Sequence, residues 1–184
     1  MNSILSGFVV DTCKSLDNLR RSGVCSEFVC DFRCEELKDY LNFDIRDSVQ
    51  FHELFQKLIK IKGPVLYWYE ITSDQSNDVI INALRTYKLS GQRITPTIYK
   101  NYDKRTRILY VGKCKECFWG RVIQHLGYHT ADTTQGLQLY HWAKDLRLDV
   151  RLHALEFADD MKDIMPIVES YFAKRLCPLV GKHI

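Results

Sequence analysis

The chain has 184 residues, which at roughly 150 residues per domain corresponds to one domain or to one domain with a short appendage. Hydrophobic residues make up 46% and charged residues 27%, which excludes a mostly disordered, collagen-like or coiled-coil chain. The net charge of +3 is too small to indicate a nucleic-acid-binding protein by itself. No apolar run reaches the ~18 residues of a membrane span, so we expect no membrane-embedded segment.

The first 62 residues are predicted to form an N-terminal extension or a subdomain. Within them we expect a strand near 27–33, flanked by helices. Apolar residues recur at helical spacing in 47–61, with Asp47 or Ser48 as a plausible N-cap, and this pattern predicts a helix.

Residues 63–184 are predicted to form a small α+β domain. Stretches rich in β-branched and aromatic residues predict three strands, at 65–71, 108–111 and 149–157. Amphipathic stretches predict four helices, at 76–88, at 117–126, at 136–146 and from Pro166 to about Leu176. A three-stranded sheet flanked by helices is the expected architecture, with an insertion at about 72–106 between the first two strands.

The seven cysteines are an odd number, and no basic residue precedes the short apolar stretch at the start of the chain. We therefore predict no secretory signal, and reduced thiols in a cytoplasmic protein. Cys114, Cys117, His125 and His129 are four possible zinc ligands. Only seven residues separate the two pairs, however, where a zinc finger has about twelve. Small, partly buried thiols are the favoured interpretation, and a zinc-stabilised interaction domain is an alternative.

Five polar side chains suited to phosphodiester hydrolysis follow one another through this domain. Tyr67 and Tyr110 lie on the first two predicted strands. Arg121 and His125 are four residues apart on one predicted helix and therefore share a face. Glu169 lies near the start of the last predicted helix. Each residue alone is more typical of a core or a solvated surface, so the interpretation depends on the ordered set.

Hydrolysis of a phosphodiester needs an activated water and stabilisation of charge on phosphorus. Arg121 offers a planar fork of donors to phosphate oxygens. Glu169 can hold a Mg²⁺ ion that takes its remaining ligands from water and phosphate. Tyr67 can serve as a base only if nearby cations lower its pKa, and Tyr69 is the alternative tyrosine. Tyr110 and His125 can orient the water or the tyrosine.

These residues and their order resemble the motifs of the GIY-YIG nuclease superfamily. Leu109-Tyr110-Val111-Gly112 matches the second motif strand, and Arg121 follows eleven residues after Tyr110. The pairing of Arg121 with His125 resembles the restriction-enzyme branch of the superfamily. The resemblance covers residues 63–184, about two-thirds of the chain.

The end of the chain also resembles the family, and the sequence departs from the family pattern at three points. Glu169 is followed by Pro178-Leu-Val-Gly181, which resembles a Pro-x-x-Asn ending with glycine in place of asparagine. Val65 stands where the first motif has glycine, and the insertion at 72–106 separates the two tyrosines by 43 positions. The missing asparagine motivates a second hypothesis, a nucleic-acid-binding module that does not cleave.

The resemblance implies a three-stranded antiparallel sheet flanked by helices and a metal-dependent endonuclease that acts on DNA, with RNA not excluded. It implies that Tyr67 is the general base, that Arg121 clamps the transition state and that Glu169 binds Mg²⁺ or Mn²⁺. One such site cuts one strand, so double-strand cleavage would require a homodimer or two encounters.

Basic residues cluster around the second predicted strand. Residues 100–121 contain seven Lys or Arg and two Asp or Glu, which is compatible with a phosphate-bearing partner or with a solvated loop. Lysines and arginines near the motifs are the candidates for contact with nucleic acid: Lys104, Arg105, Arg107, Lys113 and Lys182.

Overall fold

The computed structural model describes residues 2–182. The strands in this part are β1 (Ser26–Arg33), β2 (Val65–Ile71), β3 (Thr97–Ile98), β4 (Ile108–Cys114), β5 (Asp149–Glu156) and β6 (Val180–Gly181). The α-helices in the same part are α1 (Asn2–Ser22), α2 (His52–Leu58), α3 (Asn77–Ser90), α4 (Phe118–Leu126), α5 (Leu139–Trp142) and α6 (Met165–Leu176). Short 3-10 helices lie at Cys34–Glu36, Ile45–Asp47 and Asp159–Met161.

The predicted three-stranded sheet is wrong, because the described residues form a mixed sheet of six strands in the order β1-β5-β2-β4-β6-β3. Neighbouring strands pair antiparallel except β4 and β6, which pair parallel. The N-terminal segment supplies β1, which pairs along its length with β5, from Ser26 opposite Glu156 to Arg33 opposite Asp149. At the other edge, β3 and β6 have two residues each. Strands this short carry no alternation by which a sequence would predict them.

The two faces of the sheet support separate cores. On β2, Tyr67 and Tyr69 belong to the larger core, which includes buried side chains of α2, α3, α4 and α5. Leu66, on the opposite face, belongs to a smaller core with Met165 of α6. This division follows from the period of two in a strand, because successive side chains point to opposite faces. Helices α4 and α6, which carry the predicted site residues, therefore lie on opposite faces of β2 and β4.

Local signals define the ends of two helices. Ser76 caps α3 with its side chain, and Gly127 ends α4 with a positive φ of 103°. Two predicted helices are much shorter than expected. The one predicted for 47–61 is confined to His52–Leu58, because the backbone before it forms a 3-10 turn and the Ser48 hydroxyl accepts from the Phe51 N–H. Helix α5 covers only four residues of the stretch predicted for 136–146.

Helix α1 contacts the 3-10 helix Asp159–Met161, which precedes α6. The Ser15 hydroxyl donates to the backbone carbonyl of Asp160 at 3.1 Å, and the Asn18 amide donates to the Asp160 carboxylate at 3.0 Å. Although α1 has 21 residues, no helix within the described range 2–182 is both long and apolar enough to cross a membrane.

Candidate active site

Four of the five predicted catalytic residues meet in one hydrogen-bonded cluster between β2, β4 and α4. The Arg121 Nε donates to the Tyr67 Oη at 2.9 Å. The His125 Nε2 lies 2.8 Å from the same oxygen, and the Arg121 Nη2 lies 3.5 Å from the Tyr110 Oη. We call these four side chains the tyrosine cluster: Tyr67, Tyr110, Arg121 and His125.

A glycine on β4 makes room for the tyrosine cluster. Gly112 pairs with Tyr67 in the sheet. A Cβ at position 112 would lie 2.6 Å from the Tyr67 Oη and 2.6 Å from the Tyr110 ring. Any side chain here would displace both rings, since no real Cβ approaches other atoms so closely. The Tyr-Val-Gly sequence thus brings one tyrosine into the cluster and clears space for the other.

The helix α4 positions the two other members. Arg121 and His125 are one turn apart on it and face the sheet. Phe118, in the first turn, packs on the Tyr67 ring with the centroids 5.3 Å apart. The helix starts after Cys117, whose φ of 57° is unusual for a residue other than glycine. The helix direction and the register of β2 and β4 together fix the four side chains.

The hydrogen bonds of His125 determine its tautomer. The backbone N–H of Leu137 donates to the Nδ1 at 3.1 Å, so the ring hydrogen is on the Nε2 and points to the Tyr67 Oη. The imidazole is fully buried, and its pKa lies well below the ordinary 6.5 because of burial and then because of the Arg121 charge. His125 is therefore a neutral donor to Tyr67.

The Tyr67 oxygen accepts two N–H bonds, one from Arg121 and one from His125. Both donors would stabilise a phenolate. Burial acts in the opposite direction and prevails, so that the pKa of Tyr67 lies well above the ordinary 10 while the Arg121 charge and hydrogen bond oppose this rise. Tyr67 is a neutral phenol in this arrangement. The alternative tyrosine, Tyr69, is also buried, and its hydroxyl has no hydrogen-bond partner among residues 2–182.

Arg121 is a half-buried cation whose described partners are all uncharged. Besides the two tyrosines, its Nη1 donates to the Gln124 side chain at 2.6 Å and to the Gln135 carbonyl at 2.7 Å. Four of the five N–H groups of the guanidinium are thus engaged, one of them weakly at 3.5 Å, and the fifth has no acceptor in residues 2–182. No carboxylate in the same range forms an ion pair with Arg121. The site therefore offers positive charge and donors to an anion.

Glu169 lies on the opposite face of β4. Its carboxylate Oε2 accepts from the Lys113 Nζ at 2.7 Å, and the side chain is only 8% exposed. Lys113 directly follows Gly112, and successive strand residues point to opposite faces. The Lys113–Glu169 pair and the tyrosine cluster thus lie on opposite faces of the sheet, and the structure brings together four of the five predicted catalytic residues but not Glu169.

Glu169 is the carboxylate on which the predicted Mg²⁺ site depends. It already pairs with the Lys113 ammonium at 2.7 Å, so a metal ion here would have to share or displace that partner. Mg²⁺ retains several waters and takes phosphate oxygens, so one protein carboxylate is a sufficient donor set. Residues 2–182 contain no group of three His, Cys, Asp or Glu side chains that could hold a metal ion of any kind. Both nitrogens of His125 are also engaged, by Leu137 and by Tyr67.

The predicted nucleic-acid-binding residues divide into two groups. The Arg107 guanidinium donates to the backbone carbonyls of Ile71, Ser73 and Gln75, so it fixes the start of the insertion. Lys113 is bound to Glu169. The other three predicted residues are exposed to solvent: Lys104, Arg105 and Lys182.

Tyr99 of the insertion lies at the edge of the sheet formed by β3 and β6, and the sequence does not indicate its contact there. Strand β3 pairs with β6, with Thr97 opposite Gly181. A Cβ on Gly181 would lie 2.5 Å from the Tyr99 Oη, so the phenol of the insertion fills the space of a side chain at position 181. The glycine at the end of the Pro-x-x-Asn-like motif is thus accompanied by a tyrosine from another strand. No sequence signal connects the two, because β3 has only two residues.

Comparison of the chain with protein-family models, with curated proteins and with solved structures found no match.

Proposed function

We propose that this protein is a metal-dependent endonuclease of the GIY-YIG type that hydrolyses phosphodiester bonds in DNA. The observation that supports this best is Arg121, a half-buried guanidinium with no ion-pair partner in residues 2–182 and with one unused N–H. A cation removed from water without a counter-charge is costly. A phosphate, which accepts two N–H bonds from one guanidinium, would relieve that cost.

The chain's own residues have distinct roles in this proposal. Arg121 binds a non-bridging phosphate oxygen and stabilises the charge that grows there in the transition state. His125 holds Tyr67 through its Nε2–H, and Arg121 holds it through its Nε–H. Tyr67 acts as the base in its phenolate form: its hydroxyl proton first leaves to bulk solvent, and the two N–H bonds that the oxygen already accepts stabilise the phenolate. The phenolate then takes the proton of the attacking water and becomes a neutral phenol again.

Glu169 is the residue that would hold Mg²⁺ or Mn²⁺, which when bound lowers the pKa of a coordinated water and neutralises phosphate charge. Lys113 would then remain beside the carboxylate as a second cation for the substrate backbone. The free thiols of all seven cysteines are consistent with a cytoplasmic protein, where we place this activity.

The test is cleavage of supercoiled plasmid DNA, and of RNA in parallel, with Mg²⁺ present. Arg121→Gln should reduce the cleavage rate by about 10²-fold or more, because a donor to the transition-state charge is lost. Arg85→Gln is the matched control, since Arg85 is exposed and its Nη1 donates to Asn82 one turn before it on the same helix. Equal cleavage by the Arg121 and Arg85 variants would contradict the proposal.

A second candidate is a nucleic-acid-binding module without cleavage. Its support is the Tyr67 side chain, which is 0% exposed, so a water can reach its oxygen only after the cluster opens. This candidate predicts that DNA binds with an affinity that depends on Arg121, and that neither DNA nor RNA is cleaved at any Mg²⁺ or Mn²⁺ concentration.

A further inference from the structure

The N-terminal half of α1 exposes large apolar side chains to solvent. Six large apolar residues of α1 are between 44% and 80% exposed: Ile4, Leu5, Phe8, Val9, Val10 and Leu16. Residues 2–13 contain a single charged residue, Asp11. Helical propensity alone does not maintain such a surface in water, and an exposed apolar patch of this kind marks an interaction site.

An apolar groove of about 450 Å³ lies directly beside this half-helix. Its walls come from the second half of α1, from β5 and from α6, and every lining residue except Thr12 is apolar. On α6, Ile167 and Tyr171 lie one turn apart and are 59% and 57% exposed. They are on the other side of α6 from Glu169, so the groove is separate from the candidate active site.

The exposed apolar side chains of α1 and the groove form one continuous surface. Leu16 and Leu19 line the groove. Phe8, Leu5 and Thr12 precede them at spacings of three and four residues, so they lie on the same face of α1. The helix of 21 residues is about 31 Å long. Its first half carries this apolar face beyond the residues that line the groove.

We infer that this surface is the interface of a symmetric homodimer, in which the N-terminal half of each α1 lies in the groove beside α6 of the partner copy. Each chain carries both a protruding apolar helix and a groove, which is the self-complementarity that a two-fold interface requires. At about 100 Å² each, seven exposed side chains offer about 700 Å² per chain, which is close to the roughly 800 Å² per partner of a standard interface. These are Ile4, Leu5, Phe8, Val9 and Leu16 of α1 with Ile167 and Tyr171 of α6.

The chemistry of the patch favours a second copy over a lipid surface or a nucleic acid. A helix that lies on an anionic membrane carries Lys and Arg on its polar face, and a nucleic-acid surface is basic. Residues 2–13 of α1 contain neither Lys nor Arg. The inference does not depend on the proposed nuclease activity, and its test measures mass rather than cleavage.

The experiment is sedimentation equilibrium of the full chain over a range of concentrations. The native protein should have twice the chain mass of 21.6 kDa. Phe8→Asp and Ile167→Asp should each weaken the dimer by about 100-fold or more, because each buries a carboxylate in an apolar interface. Val49→Asp is the matched control, because Val49 is 99% exposed and lies far from both elements in the chain, and it should remain dimeric. Circular dichroism and urea unfolding verify that each variant is folded.

Mixing the two interface variants tests the reciprocal arrangement. The Ile167→Asp chain has an intact α1 and the Phe8→Asp chain has an intact groove, so one of the two helix-in-groove contacts re-forms. The mixture should therefore dimerise at lower concentration than either variant alone. A native protein of 21.6 kDa at every concentration, or a folded Phe8→Asp variant that dimerises like the Val49→Asp control, would overturn the inference.

Discussion

A methyl group added at Gly181 should destabilise the fold through its contact with Tyr99. The new Cβ would lie 2.5 Å from the Tyr99 Oη and 3.3 Å from its Cζ. Tyr99 cannot withdraw freely, because its backbone N–H donates to the Leu179 carbonyl at 3.2 Å and the preceding strand pairs with Gly181. We therefore expect Gly181→Ala to lower the free energy of unfolding by about 1–3 kcal/mol, the usual cost of overpacking.

A double-mutant cycle isolates this contact. Tyr99→Phe removes the Oη, so the nearest remaining atom would be the Cζ at 3.3 Å, which a small shift accommodates. Gly181→Ala should therefore cost less in the Tyr99→Phe variant than in the native chain, with a coupling of about 1 kcal/mol or more in urea unfolding. Gly181→Asn, the substitution that would complete the motif, should destabilise rather than improve the protein. Additive effects of the two substitutions, or a cost of Gly181→Ala below about 0.5 kcal/mol, would refute the reasoning.

Three further outcomes are expected. The pKa of buried His125 is well below 6.5, so below pH 6.5 this histidine binds a proton in the unfolded chain but not in the folded one. The free energy of unfolding in urea should therefore fall by up to about 1.4 kcal/mol per pH unit as the pH drops below 6.5. His125→Gln should flatten that slope, and an unchanged slope would contradict the assignment of a neutral imidazole. Gly112→Ala should displace Tyr67 and lower the melting temperature more than Gly7→Ala, whose Cβ meets nothing within 4 Å; equal effects would contradict the close approach. Lys113→Met should remove the ammonium group that pairs with the 8% exposed Glu169 carboxylate at 2.7 Å and cost about 3 kcal/mol of stability in urea unfolding, whereas a change near zero would show that this pair contributes little.

The long elements of this fold are readable from sequence because their periodicity is strong. The strands β2, β4 and β5 and the helices α3, α4 and α6 lie close to their predicted positions. The architecture was not predictable in the same way. The strand near 27–33 was expected, but its pairing with β5 is a contact over more than a hundred residues that local pattern does not encode. The sheet was consequently predicted with three strands instead of the six present in residues 2–182.

The candidate site, like the fold, could be predicted from the sequence only in part. Spacing alone placed Arg121 and His125 on one face of a helix, and the structure joins them to Tyr67. No pattern in the sequence indicates that Leu137 fixes the tautomer of His125, because that bond comes from an irregular loop. Nor does any pattern indicate that Tyr99 lies against Gly181, since the two meet through strands of two residues each. Side chains that approach through short or irregular segments are beyond what periodicity can predict.

The most direct test of the proposed function is single-turnover cleavage of end-labelled DNA as a function of Mg²⁺ concentration, with Glu169→Gln compared to Glu53→Gln. Glu53 is an exposed carboxylate on α2, so its variant controls for the loss of one negative charge. Cleavage should require Mg²⁺, persist in the Glu53 variant and fall by about 10²-fold or more in the Glu169 variant, because the carboxylate that would hold the ion is gone. Mg²⁺-dependent cleavage that is equal in the two variants would contradict the placement of the site, and DNA that is bound by the native protein but never cleaved would contradict the nuclease proposal itself.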